Sequence, residues 1–310
     1  MEISSLNQMS RFFLRSVLIA SLILLFDRGI GLILKHYYFR QENGKEAQTT
    51  YIIDSTVADI LIFGSSRASH HYVPEVFESR LNKSFYNTGK DGNYILYSYA
   101  IFKSVLKRYY PKLIIFDIRA YDLGDIPSEY ERLSQLLPYY QKYPEIRDVI
   151  DLRGPFEKLK QISAIYSYNS LILQIVNGNL GLIKAGETNL KGYIPLSRTL
   201  KEEKIEIWDL NKIRIDENKI RALKDIISTC KQKDVDLVFV QSPSWLIIQD
   251  SVCKKIISDM CSENGIAYID MSNDSTFIKR PDYFEDINHL NNTGAIVFSD
   301  MLVNKLFNTH

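Results

Sequence analysis

Early in its globular part, the chain reads Ala58-Asp59-Ile60-Leu61-Ile62-Phe63-Gly64-Ser65-Ser66. A continuous apolar run without alternation is typical of a strand that is buried on both faces, as in a parallel sheet covered by helices. The glycine and the two serines that follow indicate a turn where this strand ends. The stretch therefore predicts a buried first strand with two hydroxyl side chains at its carboxyl end.

Strand and helix patterns alternate along much of the remaining chain. Further strands are predicted at 84–87, 113–116, 237–240 and 267–269. Helices are predicted at 95–110, 216–233, 250–264 and after Asn291. Alternation at this spacing predicts an α/β fold, a three-layer sandwich of flavodoxin-like type with a parallel sheet between helices.

Residues 122–210 do not follow this alternation. They contain helical fragments at 130–137 and 162–176 and a patch rich in Gly and Asn at 177–192. We predict that they form an insertion within a single domain, either a lid or a docking surface for a partner.

The N-terminal region is apolar over a long stretch. Residues 12–26 read FFLRSVLIASLILLF, and apolar character resumes after Asp27-Arg28. The uninterrupted run at 16–26 is shorter than the roughly 20 apolar residues that cross a bilayer. A full span therefore requires Arg15 to snorkel, and Asp27 and Arg28 to lie near the far interface or to pair.

No small-x-small cleavage site follows this run, so we predict an uncleaved transmembrane signal anchor. Its short N-terminal tail favours a single-pass topology with the C-terminal domain extracytoplasmic. The predicted organisation is an anchor with its flank at 1–40, a linker at 41–56 and the α/β domain at 57–310. The alternative is an amphipathic or buried N-terminal helix of a cytosolic protein.

Composition excludes some classes of function. The 310 residues are 45% apolar and 24% charged, which is enough to bury a full core. The formal net charge of +1 provides no field that would attract nucleic acid, and no glycine-rich phosphate loop follows a strand. Cys230, Cys253 and Cys261 are not at metal-ligand spacing with a histidine, so we assign them to packing and expect no metal and no cofactor.

Two short motifs carry the candidate chemistry. Ser65 and Ser66 follow the first strand, and Asp286 and His289 lie in the loop before the last helix. Loops at the carboxyl ends of parallel strands converge above the sheet, so the two motifs can meet. There, His289 could deprotonate a serine while Asp286 orients the imidazole. Separately, the motifs indicate only a turn and a helix cap.

At these residues the chain resembles the SGNH/GDSL hydrolases. Gly64-Ser65-Ser66 is similar to their first block, with Ser66 in the nucleophile position and Ser65 where that block often has Asp. Asp286-Ile287-Asn288-His289 is similar to their last block, Asp-x-x-His. The resemblance implies a catalytic set of Ser66, Asp286 and His289. His70 and His71 are predicted at a helix start or on the surface.

The resemblance is partial at the oxyanion hole. The segment Asn87-Thr88-Gly89-Lys90-Asp91-Gly92-Asn93 resembles the second block, which implies that the amide of Gly92, or alternatively Gly89, helps the amide of Ser66 to bind the oxyanion. The third block normally supplies an Asn donor, whereas this chain has Asp117-Ile118-Arg119 there. Arg119 and Asn87 are accessory candidates, although an Arg close to Asp residues is more often structural.

An anchored domain that lacks the Asn block resembles extracytoplasmic proteins that assist O-acylation of polysaccharides, as in alginate acetylation and teichoic-acid D-alanylation. That resemblance implies a serine acyltransferase or esterase for O-acyl groups of a cell-surface or exported polysaccharide. It also implies three partners: the membrane, the polysaccharide and a multi-pass membrane O-acyltransferase. The alternative is a catalytically weak or inactive accessory protein that binds glycan or partner.

Overall fold

The computed structural model of the chain describes residues 8–182, 191–201 and 205–307. Its strands are β1 (Ile60–Phe63), β2 (Phe85–Asn87), β3 (Leu113–Asp117), β4 (Glu206–Leu210), β5 (Asp236–Gln241), β6 (Leu246–Ser251) and β7 (Ala267–Asp270). Five of them form one parallel sheet in the order β2-β1-β3-β5-β7. These five are the strands that the sequence predicts, within two residues at each end, so the predicted α/β class and parallel sheet are confirmed.

Helices make up most of the other elements. They are α1 (Gln8–Phe39), α2 (Gly44–Asp54), α3 (Ser66–His71), α4 (Pro74–Leu81), α5 (Ile95–Leu106), α6 (Pro127–Arg132), α7 (Arg147–Asp151), α8 (Glu157–Lys160), α9 (Ile172–Asn179), α10 (Glu217–Gln232), α11 (Val252–Asn264), α12 (Ser275–Ile278) and α13 (Asn292–Phe307). Short 3-10 helices lie at Leu133–Tyr139, Pro144–Ile146, Tyr166–Leu171 and Pro281–Tyr283.

The sheet separates two hydrophobic cores. Successive side chains of a strand point to opposite faces, so Leu61 and Phe63 of β1 pack into one core while Ile60 and Ile62 pack into the other. The first core includes residues of α5, α10 and α11, and the second includes residues of α4 and α13. Strand β1 is buried along its whole length, which explains why its sequence is apolar without alternation.

A second sheet is absent from the sequence prediction. Strand β4, from the predicted insertion, pairs in parallel with β6. Because β6 occupies Leu246–Ser251, α11 begins at Val252 rather than at residue 250, and the Ser251 hydroxyl accepts a hydrogen bond from the amide of Lys254 as its N-cap. Pairing between segments so far apart in sequence leaves no local pattern to detect.

The predicted linker at 41–56 is wrong. Most of this segment is helix α2, whose Ile52 and Ile53 are buried in the same core as α5. Tyr38, in the last turn of α1, is also only 1% exposed in that core. The polar residues around Ile52 and Ile53 conceal an apolar pair that faces inward, so the α/β core extends beyond the predicted boundary at residue 57.

The predicted insertion at 122–210 is mainly helical. Buried apolar residues from several of its helices join the core beneath α5, among them Leu136, Ile150, Tyr168 and Ile175. Part of its Gly/Asn-rich patch, residues 183–190, lies outside the described residues, as do residues 202–204. Most of the insertion is therefore an extension of the α/β core.

Helix α1 is a single helix of 32 residues, roughly 48 Å long at about 1.5 Å per residue. It is long and apolar enough to cross a membrane, and little of its apolar part is buried. Arg28 pairs with Asp27 at 3.1 Å, as a span through this region requires. The Asp27 carboxylate accepts hydrogen bonds from the Ser163 hydroxyl at 2.5 Å and the Ala164 amide at 2.8 Å. These bonds fix the C-terminal half of α1 to the insertion.

Candidate active site

Ser66, His289 and Asp286 lie side by side in hydrogen-bonded order. The Oγ of Ser66 is 2.7 Å from Nε2 of His289, and Nδ1 of His289 is 2.9 and 3.0 Å from the two carboxylate oxygens of Asp286. Because Nδ1 faces a carboxylate, it carries the proton, which leaves Nε2 to accept the proton of the Ser66 hydroxyl. This is the geometry of a general base between a nucleophile and an orienting carboxylate.

The turn after β1 presents Ser66 rather than Ser65. Gly64 has a φ of +146°, and a Cβ added there would lie 2.9 Å from the Asp117 carbonyl oxygen. Only glycine fits this close approach. The turn buries Ser65 and starts α3 at Ser66, which stays partly exposed and whose amide has no acceptor within the helix.

The spacing of Asp286 and His289 is fixed by the backbone of their own loop. Oδ1 of Asp286 accepts hydrogen bonds from the amides of Asn288 at 2.8 Å and His289 at 3.0 Å. The amide of Glu285 donates to the His289 carbonyl at 2.8 Å and closes the loop. We call residues 284–290 the His289 loop. Its closed turn explains why the carboxylate must be three residues before the imidazole.

Asp286 is held as a carboxylate. Partial burial raises its pKa. The hydrogen bond and charge of His289, together with the two loop amides, lower it by more, so the pKa of Asp286 lies below the usual value. The Asp286 side chain is 50% exposed and that of His289 is 21% exposed. The site is therefore open to solvent and to a substrate.

His71 is a site residue that the sequence does not reveal. It is fully buried in the last turn of α3, so its predicted place at a helix start or on the surface is wrong. Its Nε2 accepts the amide of Leu290 at 3.0 Å, and its Nδ1 lies 3.0 Å from the Ser242 hydroxyl. Burial, followed by the charge of Arg67, holds its pKa well below the usual value. A neutral His71 thus fixes the His289 loop to α3.

His70 is also buried, beside the triad. Its Nδ1 is 2.7 Å from the Ile194 carbonyl oxygen, and its Nε2 is 3.2 Å from Oδ1 of Asp91. The rings of His70 and His289 are 5.5 Å apart, edge to face. Burial raises the pKa of Asp91, but the hydrogen bond and charge of His70, and then those of Lys45, bring it well below the usual value. His70 thereby links α3 to the loop that contains Gly92.

Gly92 is the better of the two glycine candidates for an oxyanion donor. The amide of Gly89 donates to Oδ1 of Asn87 at 2.9 Å, so it is already engaged. Within the described residues, the amide of Gly92 has no acceptor. Gly92 has a φ of +68°, a conformation that favours glycine. The amides of Ser66 and Gly92 are therefore the available pair.

The two accessory candidates are both engaged in holding the structure. Nδ2 of Asn87 donates to the Ala68 carbonyl at 2.6 Å and ties its loop to α3. The Arg119 guanidinium donates from Nε to Asp122 at 2.8 Å and stacks on the rings of Tyr94 and Tyr121. Their contacts are those of structural residues.

The end of β3, where the resemblance expects an Asn donor, carries a buried charge network instead. Asp117 accepts a hydrogen bond from the Tyr72 hydroxyl at 2.6 Å and lies 3.5 Å from Nε of Arg67. Arg67 follows Ser66 and donates to the Ser242 carbonyl at 3.1 Å. The network supports α3 from below and supplies no third oxyanion donor from this strand.

A cavity of about 800 Å³ borders the carboxylate end of the triad. It is lined by Arg198, Thr199, Leu200, Lys201, Glu285, Asp286 and Ile287. Within the described residues, no cluster of His, Cys, Asp and Glu is arranged to hold a metal ion. The three cysteines are free and buried, as expected for packing residues.

No protein-family model matches this chain, and no curated protein matches its sequence at a significant level. Its geometry is thus the basis for assigning a function.

Proposed function

We propose that this chain is a membrane-tethered serine acyltransferase or esterase for O-acyl groups of a cell-surface or exported polysaccharide. The observation that carries the proposal is the 2.7 Å contact between the Ser66 hydroxyl and Nε2 of His289, with Asp286 on the opposite ring nitrogen. The partly exposed serine and the donor pair of Ser66 and Gly92 support acyl chemistry.

The reaction begins when His289 takes the Ser66 proton as Oγ attacks the acyl carbonyl. Asp286 stabilises the imidazolium that forms, and the amides of Ser66 and Gly92 bind the oxyanion of the tetrahedral intermediate. The leaving oxygen takes the proton from His289, and the acyl group remains on Ser66. Water or a sugar hydroxyl then gives its proton to His289 and attacks the acyl carbon. The bond between the acyl carbon and Oγ breaks, Ser66 takes the proton back from His289, and the free acid or the acylated sugar leaves.

The tether limits where this chemistry takes place. With α1 in a bilayer and the C-terminal domain extracytoplasmic, the site is held on the outer side of the membrane. A multi-pass membrane O-acyltransferase could deliver acyl groups there, and an exported polysaccharide would provide the hydroxyl groups.

Labelling with a serine-reactive fluorophosphonate tests the proposal. The full chain, solubilised in detergent, should be labelled, and Ser66→Ala should not. Ser228→Ala is the matched control, because Ser228 is an exposed serine on α10. Equal labelling of Ser66→Ala and the natural chain would exclude Ser66 as the nucleophile.

The missing donor at β3 favours a second candidate, an accessory protein that binds glycan or partner. For this candidate, a folded natural chain takes no label at Ser66, because two backbone amides without the third donor do not stabilise the oxyanion enough for the reaction. If Ser66 is labelled, mass spectrometry of a soluble oligosaccharide incubated with an acyl ester then separates transfer from hydrolysis. Transfer adds the acyl mass to the sugar, whereas hydrolysis releases only the free acid.

A further inference from the structure

A cavity of about 880 Å³ lies between α1 and the insertion, and none of the triad residues lines it. We call it the α1 cavity. Helix α1 lines it with Arg28, Leu32 and Lys35, at spacings of four and three residues that put them on one side of the helix. The insertion contributes Lys142 and Ile162 to the opposite wall.

The α1 cavity begins where the apolar run of α1 ends. Phe26 is the last residue of that run, and Arg28 is the first cavity residue after it. From Arg28 to Lys35 the helix rises about 10 Å. Headgroups occupy roughly 5 to 8 Å on each side of the hydrocarbon core. With residues before Asp27 in the bilayer, the cavity lies at headgroup depth.

The charges that line the α1 cavity leave one positive charge without a partner. Arg28 is paired with Asp27 at 3.1 Å, and Lys142 is paired with Asp54 at 2.9 Å. Lys35 is exposed and, within the described residues, has no carboxylate partner. A single negative charge such as a phosphodiester would complement this arrangement.

One polar group at the cavity is also unpartnered. Gln161 lines the cavity, and its Nε2 is buried without a hydrogen-bond partner in the described part of the chain. A buried donor of this kind costs free energy unless it finds an acceptor. Oxygen atoms of a phosphate or of a glycerol ester would satisfy it.

The same cavity has apolar walls open to solvent. Leu32 is 67% exposed and Ile162 is 57% exposed. Phe156 and Leu159, in the chain just before Ile162, are 63% and 62% exposed. Large apolar side chains beside a cationic cavity suit a ligand that has both a charged headgroup and acyl chains. A free phosphate ion has no acyl chains to contact them.

We propose that the α1 cavity binds the headgroup phosphodiester of an anionic membrane lipid, with Lys35 and Arg28 near the phosphate and the acyl chains along Leu32 and Ile162. The bound lipid joins the insertion to the bilayer at a second point, beside the α1 span. This site is independent of the triad and of the acyl chemistry proposed for it.

Native mass spectrometry of the full chain in non-ionic detergent tests this site. Phosphatidylglycerol, which is anionic, and phosphatidylcholine, which is zwitterionic, are titrated separately. The natural chain should retain a single phosphatidylglycerol more tightly than phosphatidylcholine. Lys35→Gln should weaken phosphatidylglycerol binding about fivefold, which corresponds to the loss of one lysine near a phosphate. Lys35→Arg should retain binding, and Lys224→Gln, at an exposed lysine on α10, is the matched control.

The apolar wall is tested with Ile162→Ser, which should also weaken lipid binding, against Val57→Ser at another exposed apolar residue. Equal binding of the two lipids, or equal binding by Lys35→Gln and the natural chain, would overturn the proposal. Displacement of the lipid by an equal concentration of inorganic phosphate would identify a soluble phosphate as the ligand and overturn the lipid assignment. Unchanged lipid binding by Ile162→Ser would show that the apolar wall does not contact acyl chains and would overturn it as well. A melting temperature for each variant confirms that it is folded.

Discussion

The Nε2 atom of His71 accepts a 3.0 Å hydrogen bond from the amide of Leu290, the residue that follows His289. The helix that begins with Ser66 therefore also holds the loop that carries His289, the proposed general base. This buried hydrogen bond, together with the edge-to-face contact of the His70 and His289 rings, keeps the proposed nucleophile and base in register.

Replacing His71 should slow the chemistry without removing any group of the triad. In His71→Ala, the buried amide of Leu290 loses its acceptor, at a cost of about 1 to 3 kcal/mol, and His289 loses its fixed position. We expect fluorophosphonate labelling of Ser66 to fall about tenfold or more. His71→Gln, whose Oε1 can accept the same amide, should restore most of the rate. Equal rates for the two variants would exclude the positioning role.

The pH dependence of stability should also reflect His71. In the folded chain, burial holds the pKa of His71 well below the usual value of 6.5. As the pH falls, the unfolded chain therefore binds a proton at His71 before the folded chain does. Stability from this residue is complete above about pH 6.5 and declines below it, by up to about 1.4 kcal/mol per pH unit. Melting temperatures in detergent at about pH 7 and about pH 5 should differ more for the natural chain than for His71→Gln. An identical acid slope would contradict this prediction.

Asp286→Asn should reduce Ser66 labelling by about three to four orders of magnitude, because an amide cannot stabilise the imidazolium and favours the wrong tautomer. The fold should remain, since the Asp286 side chain is half exposed. Asp282→Asn is the control, because Asp282 is a nearby exposed carboxylate that pairs with Arg280. The labelling rates of the three proteins provide the comparison. A full rate in Asp286→Asn would exclude a role for the carboxylate.

Gly64→Ala should destabilise the fold and displace Ser66. The new Cβ would lie 2.9 Å from the Asp117 carbonyl, at a positive φ, which together cost about 1 to 3 kcal/mol or more. Gly265→Ala is a matched control, because Gly265 also has a positive φ but its Cβ would meet no atom within 4 Å. We expect Gly64→Ala to lower the melting temperature more than Gly265→Ala and to suppress labelling. Equal shifts would show that crowding at Gly64 is unimportant.

Local sequence pattern explains what could be predicted. Strands β1 and β3 are buried on both faces, so their apolar runs are continuous and easily detected. Strands β4 and β6 pair across a long separation in sequence. The only large apolar residues on the buried face of α2 are Ile52 and Ile53, within a polar segment. Their structure depends on tertiary contacts that no short window of sequence contains.

The site shows the same division. Ser66, Asp286 and His289 could be brought together from sequence because each motif lies at a strand end or before the last helix, at one edge of a parallel sheet. No sequence motif distinguishes His71 and Ser242, since their role depends on contacts between segments that are distant in sequence. The one signal in the sequence is that His71 follows Ser66 by only five residues. A residue so near the nucleophile turn has to lie close to the site.

The hydrogen bonds between Asp27 and the turn at Ser163 and Ala164 limit how far the domain can move relative to a membrane. A domain joined to its membrane anchor by a flexible linker can occupy a wide range of positions above a bilayer. Here α1 runs unbroken into the core and is clamped at Asp27, so in a bilayer Ser66 stays at a nearly constant height. If the proposed polysaccharide is the substrate, its sugars have to reach that height, because the rigidly held domain cannot move away from the membrane to meet them.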